Sequence, residues 1–259
     1  MRIASRIMSY FPFPDKLAEE PFNGKWIGPL HHAGPERMTP LKEALCFKTN
    51  AALYSIYSAT LIWAAARLEG KTDTRQLFYL AEALYAWQQD WRWFKRPAAI
   101  ADLDDMDAAD RSTATVLFLA DLIHQDHIYE NHMWSTEPMF ATVAEAITLT
   151  RFNLPLTALP VFDGWMAALI ARLDEIAPFD EQGNTPEVPE GDNPIRQAWT
   201  RHVMGTPLPP SVLDLNNPVA PSLFDSEWPV VLGELEWESN YYLRRPPTSM
   251  AARSSEAVP

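Results

Sequence analysis

The chain has 259 residues, of which 47% are apolar and 12% aromatic, so it can bury a substantial core and global disorder is excluded. Its 21 basic and 34 acidic residues give a net charge of −13, which argues against nucleic acid and anionic membranes as partners. The single cysteine, Cys46, excludes an intrachain disulfide and a cysteine-based zinc site. It fits a reducing compartment, and we therefore expect a cytoplasmic protein.

Residues 1–38 are predicted to form an irregular arm that packs on the core. Prolines at five positions prevent a long helix. Large apolar residues are interleaved with these prolines, which favours an arm laid over a core rather than a free tail. The prolines are Pro12, Pro14, Pro21, Pro29 and Pro35, and the apolar residues are Phe11, Phe13, Phe22, Trp26, Ile27 and Leu30.

A long helix is predicted over Thr39–Glu69. Thr39 suits the N-cap, Pro40 suits the first helical position and Gly70 suits the C-terminal stop. Its central stretch, Thr49–Ala66, carries no charge and has no solvated face, so neighbours should bury it on several sides. Polar residues within the stretch favour a buried helix of a globular domain over a membrane span.

A second helix follows after a very short loop. Asp73 and Gln76 have the spacing of a capping box, and Pro97 is expected to end the helix. The short loop predicts that the two helices are antiparallel neighbours. An apolar stripe with helical spacing should dock on the first helix; it consists of Leu77, Leu80, Leu84, Trp87, Trp91 and Phe94.

Further helices are predicted at about Asp107–Trp134, Thr136–Phe152, Val161–Ile176 and Ser226–Leu243. The fold class is therefore all-α: a multi-helix bundle built on a long antiparallel helical hairpin, with proline-rich irregular N- and C-terminal arms. We expect a helical core domain at 39–177 and an acidic linker at 178–193. C-terminal helices and a proline-rich segment at 194–245 would pack on the core, and 246–259 would form a disordered tail.

The segment from Asp121 to Glu130 has the most chemical character. Asp121, His124, His127 and Glu130 recur every third residue, which places them near one another on a helix. Carboxylates and imidazoles are ligands for zinc, iron or manganese. No second Glu-x-x-His motif faces them from another predicted helix, so a partner-facing or solvated helix side is the favoured interpretation, with a metal site as the alternative.

An acidic run between the second and third helices is a candidate surface for a basic partner. It does not match a calcium-binding EF-hand loop, because the required glycine and final glutamate are missing. We interpret the run as an acidic entry to the helix that a basic protein could bind. Its residues are Asp102, Asp104, Asp105, Asp107 and Asp110, and nearby Trp93 is a candidate contact residue.

Four polar residues fall on one side of the central helix: Asn50, Tyr54, Tyr57 and Ser58. Buried polar groups need hydrogen-bond partners. They would either bond to neighbouring helices, which makes the stretch a scaffold, or line a small pocket.

No motif in the chain is specific enough to name a reaction, which favours a protein without enzymatic activity. The leading hypothesis is an acidic helical protein-binding domain, in the form of an inhibitor or immunity-type protein for a basic partner, with no cofactor. The alternative is a metal- or small-ligand-binding bundle, or metalloenzyme, that uses the cluster from Asp121 to Glu130. The sequence leaves the oligomeric state open.

Overall fold

The computed structural model describes residues 6–32, 38–95, 109–123, 137–179 and 203–245. Within these ranges the chain is mostly helical and contains no β-strand, which confirms the all-α prediction. Short 3₁₀ helices lie at 91–93, 210–213 and 221–223. The α-helices are α1 (Pro40–Leu45), α2 (Asn50–Leu68), α3 (Arg75–Gln89), α4 (Arg111–Asp121), α5 (Glu137–Asn153), α6 (Leu159–Ile176) and α7 (Phe224–Glu234).

Helix α2 lies at the centre of the fold, as its uncharged composition predicts. Every residue from Asn50 to Leu68 is buried. Helices α3 and α5 make its most extensive contacts, and α4 and α6 also pack against it. A helix that is apolar or neutral all round is stable in water only when neighbours cover it in this way.

The prediction of one continuous helix over Thr39–Glu69 is wrong, because the chain turns between α1 and α2. Thr39 caps α1 by accepting a hydrogen bond from the Lys42 amide at 3.2 Å. Thr49 caps α2 in the same way, accepting from the Ala52 amide at 3.3 Å. Each threonine hydroxyl thus accepts a hydrogen bond from one of the backbone amides that lack a partner at the start of a helix. The turn between the helices also lets Lys48 reach Asp174 of α6.

Three other helices have limits that differ from the predictions. A helix was predicted over about Asp107–Trp134, but α4 begins at Arg111 and ends at Asp121. Helix α3 ends at Gln89 and α7 ends at Glu234, well before Pro97 and Leu243. The predicted capping box is wrong as well. The Asp73 carboxylate accepts from the amide and guanidinium of Arg75, and the Gln76 amide donates to the Tyr242 hydroxyl at 3.0 Å. Gln76 therefore holds the C-terminal segment instead of its own helix start.

Aromatic side chains of the first arm lie against the middle of the bundle. The Phe11 ring stacks on Trp165 of α6 at 4.6 Å, and the Phe13 ring meets the Trp63 indole of α2 edge-on at 4.9 Å. Ile7, Phe11 and Leu17 are buried. These contacts remove large apolar surfaces from water on both sides.

Gly205 packs tightly against the start of α2, and replacing it is expected to destabilise the fold. Its φ is +72°, and an added Cβ would lie 2.7 Å from the Thr49 Cβ. Gly70 provides a matched control, because its φ is also +72° and its surroundings are open. Gly205→Ala should therefore lower the free energy of unfolding by about 1 to 2 kcal/mol more than Gly70→Ala, as measured by urea denaturation. Equal losses in the two variants would contradict this packing.

Candidate functional site

The fold separates charge by sign. Four cationic side chains are buried: Lys42, Lys48, Arg67 and Arg111. Within the described residues the only buried acidic side chain is Glu82. The charged groups that a partner can touch on this part of the chain are therefore enriched in carboxylates beyond the sequence balance.

Arg67, at the end of α2, is bonded almost entirely to backbone carbonyls. It has no exposed surface. Its Nε donates to the Asn153 carbonyl at 2.8 Å, and its two terminal nitrogens donate to Leu17 at 2.8 Å and Pro21 at 3.1 Å. Burial lowers the pKa of this guanidinium. One side chain thus ties the N-terminal arm and the C-terminus of α5 to the central helix.

Arg111, the first residue of α4, also joins the N-terminal arm to the C-terminus of α5. It donates to the Asn153 side-chain oxygen and the Asn23 carbonyl, both at 2.8 Å, and to the Phe152 carbonyl at 3.0 Å. Burial, together with the charge of Arg67, lowers its pKa to about 10. Both arginines lie at the C-terminal end of α5, where free carbonyls favour positive charge.

The Phe22 ring of the arm lies against both guanidinium groups. The Cζ atoms of Arg67 and Arg111 are 4.7 Å and 4.4 Å from its centroid. Among the described residues neither arginine forms an ion pair with a carboxylate. Carbonyl oxygens and an aromatic face compensate their charges instead.

Glu82 of α3 is the buried acid. It is 1% exposed, and one carboxylate oxygen receives a 3.3 Å hydrogen bond from the Asn240 amide. The same amide donates to the Tyr79 carbonyl at 2.8 Å. Burial raises the pKa of Glu82 to about 7, and the Asn240 hydrogen bond opposes this effect. Asn240 therefore joins Glu82 and the Tyr79 backbone of α3 to the C-terminal segment.

An apolar concavity with a volume of about 520 Å³ lies between α1, α5 and α6. We call it the α1/α5/α6 groove. Its charged lining residues are Arg151, Asp163 and Asp174. Arg151 donates to both oxygens of Asp163, at 2.8 and 3.1 Å. Its apolar walls include Leu41, Ala44, Ile147, Met166, Ala167 and Ile170.

A second, more polar cavity of about 450 Å³ lies where the α2–α3 loop meets α4 and residues 239–241. Its polar groups bond to one another. The Thr72 and Thr113 hydroxyls are 3.2 Å apart, and Asp73 holds Arg75. We see less capacity for a partner here than in the groove, because these groups already have partners within the fold.

No protein-family model, curated protein or solved structure matches this chain.

The four polar residues of the central helix that were predicted either to bond to neighbouring helices or to line a pocket are all buried inside the bundle. The Tyr57 hydroxyl donates to the Leu119 carbonyl of α4, and the Ser58 hydroxyl donates to the Ala81 carbonyl of α3 at 3.3 Å. The remaining two are buried beside them. The Tyr54 ring packs edge-on against Trp87 at 4.6 Å, and the Asn50 amide lies 3.7 Å from the Met204 sulfur.

The structure places two of the residues predicted for partner binding. Asp110 caps α4, accepting from the Ser112 amide at 2.9 Å and the Thr113 amide at 3.2 Å. The Thr113 hydroxyl bond lowers the pKa of Asp110, and partial burial opposes it. Trp93 is half-buried, with its ring edge-on to Trp237 at 5.7 Å. The remaining predicted residues, Asp102, Asp104, Asp105 and Asp107, lie outside the described residues.

Of the predicted metal cluster, the structure places Asp121, the last residue of α4. His124, His127 and Glu130 lie outside the described residues. Along the described ranges, no three His, Cys, Asp or Glu side chains lie close enough together to hold a metal ion. In the same ranges, no helix is both long and apolar enough to cross a membrane.

Sequence reasoning missed Arg67, Arg111, Lys48 and Glu82 as buried charges. Arg67, Arg111 and Glu82 lie on helices and Lys48 lies in the turn between α1 and α2, and the local sequence around each gives no sign that its charge is buried. The hydrogen-bond partners of Arg67 lie 46 or more residues away along the chain, and the partner of Lys48 lies 126 residues away. No spacing rule within a helix could have indicated these pairings.

Proposed function

We propose that this chain is a non-enzymatic, cytoplasmic protein-binding domain that docks on a basic protein partner through its acidic surface. The observation that carries the proposal is the separation of charge, in which four cations are buried and one acid is buried within the described residues. The acidic groups remain accessible, and a surface of this kind attracts and orients a positively charged protein at low salt. An inhibitor or immunity-type role is one form that this binding would take.

The use of the buried arginines supports this interpretation. Arg67 and Arg111 bind carbonyls, and so does the half-buried Arg172, which donates to the backbone carbonyls of Asp214 at 2.5 Å and Asn217 at 2.9 Å. These bonds stabilise loops and the arm without neutralising a carboxylate.

We propose that the acidic run at 102–110 is part of the docking surface and that Trp93 lies at its edge. Asp110 is the N-cap of α4, so replacing it would destabilise that helix as well as remove a negative charge. The four preceding aspartates are free to be tested without removing the cap.

We also propose that α2 and α3 form the antiparallel hairpin on which the proline-rich arms pack. Two contacts support the antiparallel direction. Tyr54, near the start of α2, packs on Trp87 near the end of α3. Ser58, one turn later in α2, bonds to Ala81, which lies earlier in α3. The hairpin is the scaffold, and its polar side chains serve packing.

The test is capture of the partner from native cell extract by the immobilised full chain at low salt, followed by elution with rising salt. Mass spectrometry would identify bound proteins, and elemental analysis would measure metals. We expect a stoichiometric basic protein that elutes as salt rises, because accessible charge pairs are screened. Replacing Asp102, Asp104, Asp105 and Asp107 with asparagine should weaken capture.

The control variant neutralises four exposed acids elsewhere, Glu69, Glu175, Asp225 and Glu238, so that the net charge changes equally. It should weaken capture less than the aspartate variant. The proposal is wrong if no protein is captured at low salt while the purified chain carries a stoichiometric metal or small molecule. In that case the cluster from Asp121 to Glu130 becomes the leading candidate.

A further inference from the structure

The shape of the α1/α5/α6 groove suits a helix of another protein. Helix α6 has 18 residues, which is about 27 Å of helix axis. Three alanines, Ala44, Ala167 and Ala171, lie among the lining residues. Small side chains let two helix axes approach closely, and the larger apolar side chains beside them provide a surface into which ridges can fit. A groove of this kind recognises the apolar face of an amphipathic helix.

The groove is open along part of its length. Ala167 and Ala171 are exposed, and Ile170 is half-buried. Met38 and Phe47, which flank α1, are 55% and 58% exposed. Large apolar side chains exposed beside an apolar concavity mark a surface that association would cover.

The charges around the groove select the occupant. Helices α1, α5 and α6 together carry six acidic and three basic residues, a balance of −3. Two of the three basic residues face away from a partner, since Lys42 is buried and Arg172 is bonded to carbonyls of residues 212–217. Asp174 is 56% exposed, whereas its partner Lys48 lies beneath it at 3%. The third, Arg151, is half exposed and pairs with Asp163, so a partner at this surface meets one guanidinium together with the more numerous carboxylates of the three helices.

These charges also disfavour other occupants. A second copy of this chain, with its net charge of −13, would bring acidic surfaces together. Anionic lipid would be repelled for the same reason. A basic amphipathic helix combines the apolar face that the groove needs with the positive flank that its rim attracts.

We propose that the α1/α5/α6 groove binds an amphipathic α-helix of the partner whose apolar face fills the groove and whose flanks carry lysine or arginine. This inference rests on the proposed function and specifies how the basic partner is held. The apolar face supplies the affinity, and Asp163 and Asp174 set the charge preference of the flanks.

The probe is a fluorescently labelled helix-forming peptide of leucine and lysine, about 18 residues long to match α6, with one apolar face. Two matched peptides separate the contributions. One replaces every lysine with glutamate, and the other scrambles the leucine–lysine sequence so that no apolar face forms. By fluorescence anisotropy near physiological salt, we expect the leucine–lysine helix to bind and each matched peptide to bind at least about tenfold more weakly.

Two protein variants locate the binding. Ala167→Gln places a longer neutral side chain in the groove, and Ala168→Gln places the same side chain at the adjacent exposed alanine outside the lining. Ala167→Gln should weaken peptide binding by about tenfold, and Ala168→Gln should leave it unchanged. Circular dichroism melting curves of both variants would establish that each is folded.

The groove is not the binding site if the two variants bind the peptide equally well. The same conclusion follows if the scrambled peptide binds as tightly as the helix-forming peptide. Neither result would contradict the proposed acidic docking surface. Tight binding of the glutamate peptide would overturn the charge preference. Sedimentation velocity of the chain alone would reveal a dimer. If Ala167→Gln dissociated that dimer, the occupant of the groove would be a second copy of the chain, and the inference would be wrong. Failure of the proposed function is separate, because it is the absence of any captured basic protein from extract.

Discussion

Replacing Arg67 with alanine is expected to lower the free energy of unfolding by about 4 kcal/mol, one of the two largest effects that we foresee. The substitution leaves the carbonyls of Leu17, Pro21 and Asn153 without their buried donor. It also removes the guanidinium that faces Phe22. Urea denaturation at neutral pH measures the loss. Trypsin should also cleave the arm at Lys16 and Lys25 faster than in the wild type, because the arm loses its anchor.

Two control variants distinguish the effect of the hydrogen bonds that the guanidinium donates from the effect of its charge. Arg67→Lys keeps the charge and loses the planar arrangement of donors, so most of the destabilisation should remain. Arg75→Ala removes an exposed guanidinium that pairs with Asp73, and its effect should be small because the pair is solvated. If Arg67→Ala behaved like Arg75→Ala, the arm would be held by its aromatic contacts and the arginine anchor would be refuted.

Glu82 is expected to make the stability fall as pH rises. Burial raises its pKa from 4.5 to about 7, so the folded state holds the proton more tightly than the unfolded chain. The stabilisation is fully present below the unfolded pKa and is lost as pH rises through about 7. At about 1.4 kcal/mol for each pKa unit, the loss reaches about 3 kcal/mol.

Glu82→Gln should remove this pH dependence. The difference in free energy of unfolding between the variant and the wild type should therefore change by about 3 kcal/mol from acidic to mildly alkaline pH, in favour of the variant. Chemical denaturation at a series of pH values gives this difference directly. Glu69→Gln removes an exposed carboxylate and is the matched control for the loss of one negative charge. A constant difference for Glu82→Gln would show that its carboxylate is hydrated in the folded state.

The Glu82 prediction also has a local readout. Asn240 joins the carboxylate to the segment after α7, and the Tyr242 carbonyl accepts from the Lys95 amide at 2.7 Å. The Asn240 hydrogen bond favours the ionised carboxylate, but the larger cost of burying that charge should draw water into the contact and loosen this segment first. Hydrogen exchange of the Lys95 and Arg244 amides should therefore speed up, as pH rises through about 7, more than the general pH dependence of exchange explains.

Much of the helical architecture follows from local pattern. The limits predicted for α5 and α6 lie within a few residues of those observed, because apolar spacing and proline positions mark them clearly. Thr39 acts as the N-cap that its position before Pro40 indicates. The break between α1 and α2 was missed, because Thr49 reads equally well as a helix interior residue or as a cap. The turn before it brings Lys48 to Asp174, which is a long-range contact.

The candidate site was less accessible to sequence reasoning. The sequence does not indicate that Glu82 is buried, and its hydrogen-bond partner Asn240 lies 158 residues away along the chain. The α1/α5/α6 groove depends on the packing of three helices whose relative positions no local pattern specifies. Asp110 was predicted to be a contact residue, and the structure adds its duty as a helix cap because the start of α4 falls at Arg111.

The sequence by itself determined the all-α class, the central uncharged helix and the net acidity. These properties depend on composition and on the spacing of side chains along single helices, which the sequence displays directly. The tertiary structure alone decided which charges are buried. Arg67 and Arg111 could be taken out of water only because the arm and the end of α5 bring carbonyl oxygens to them. Within the described residues, the result is that four cations and one acid are buried.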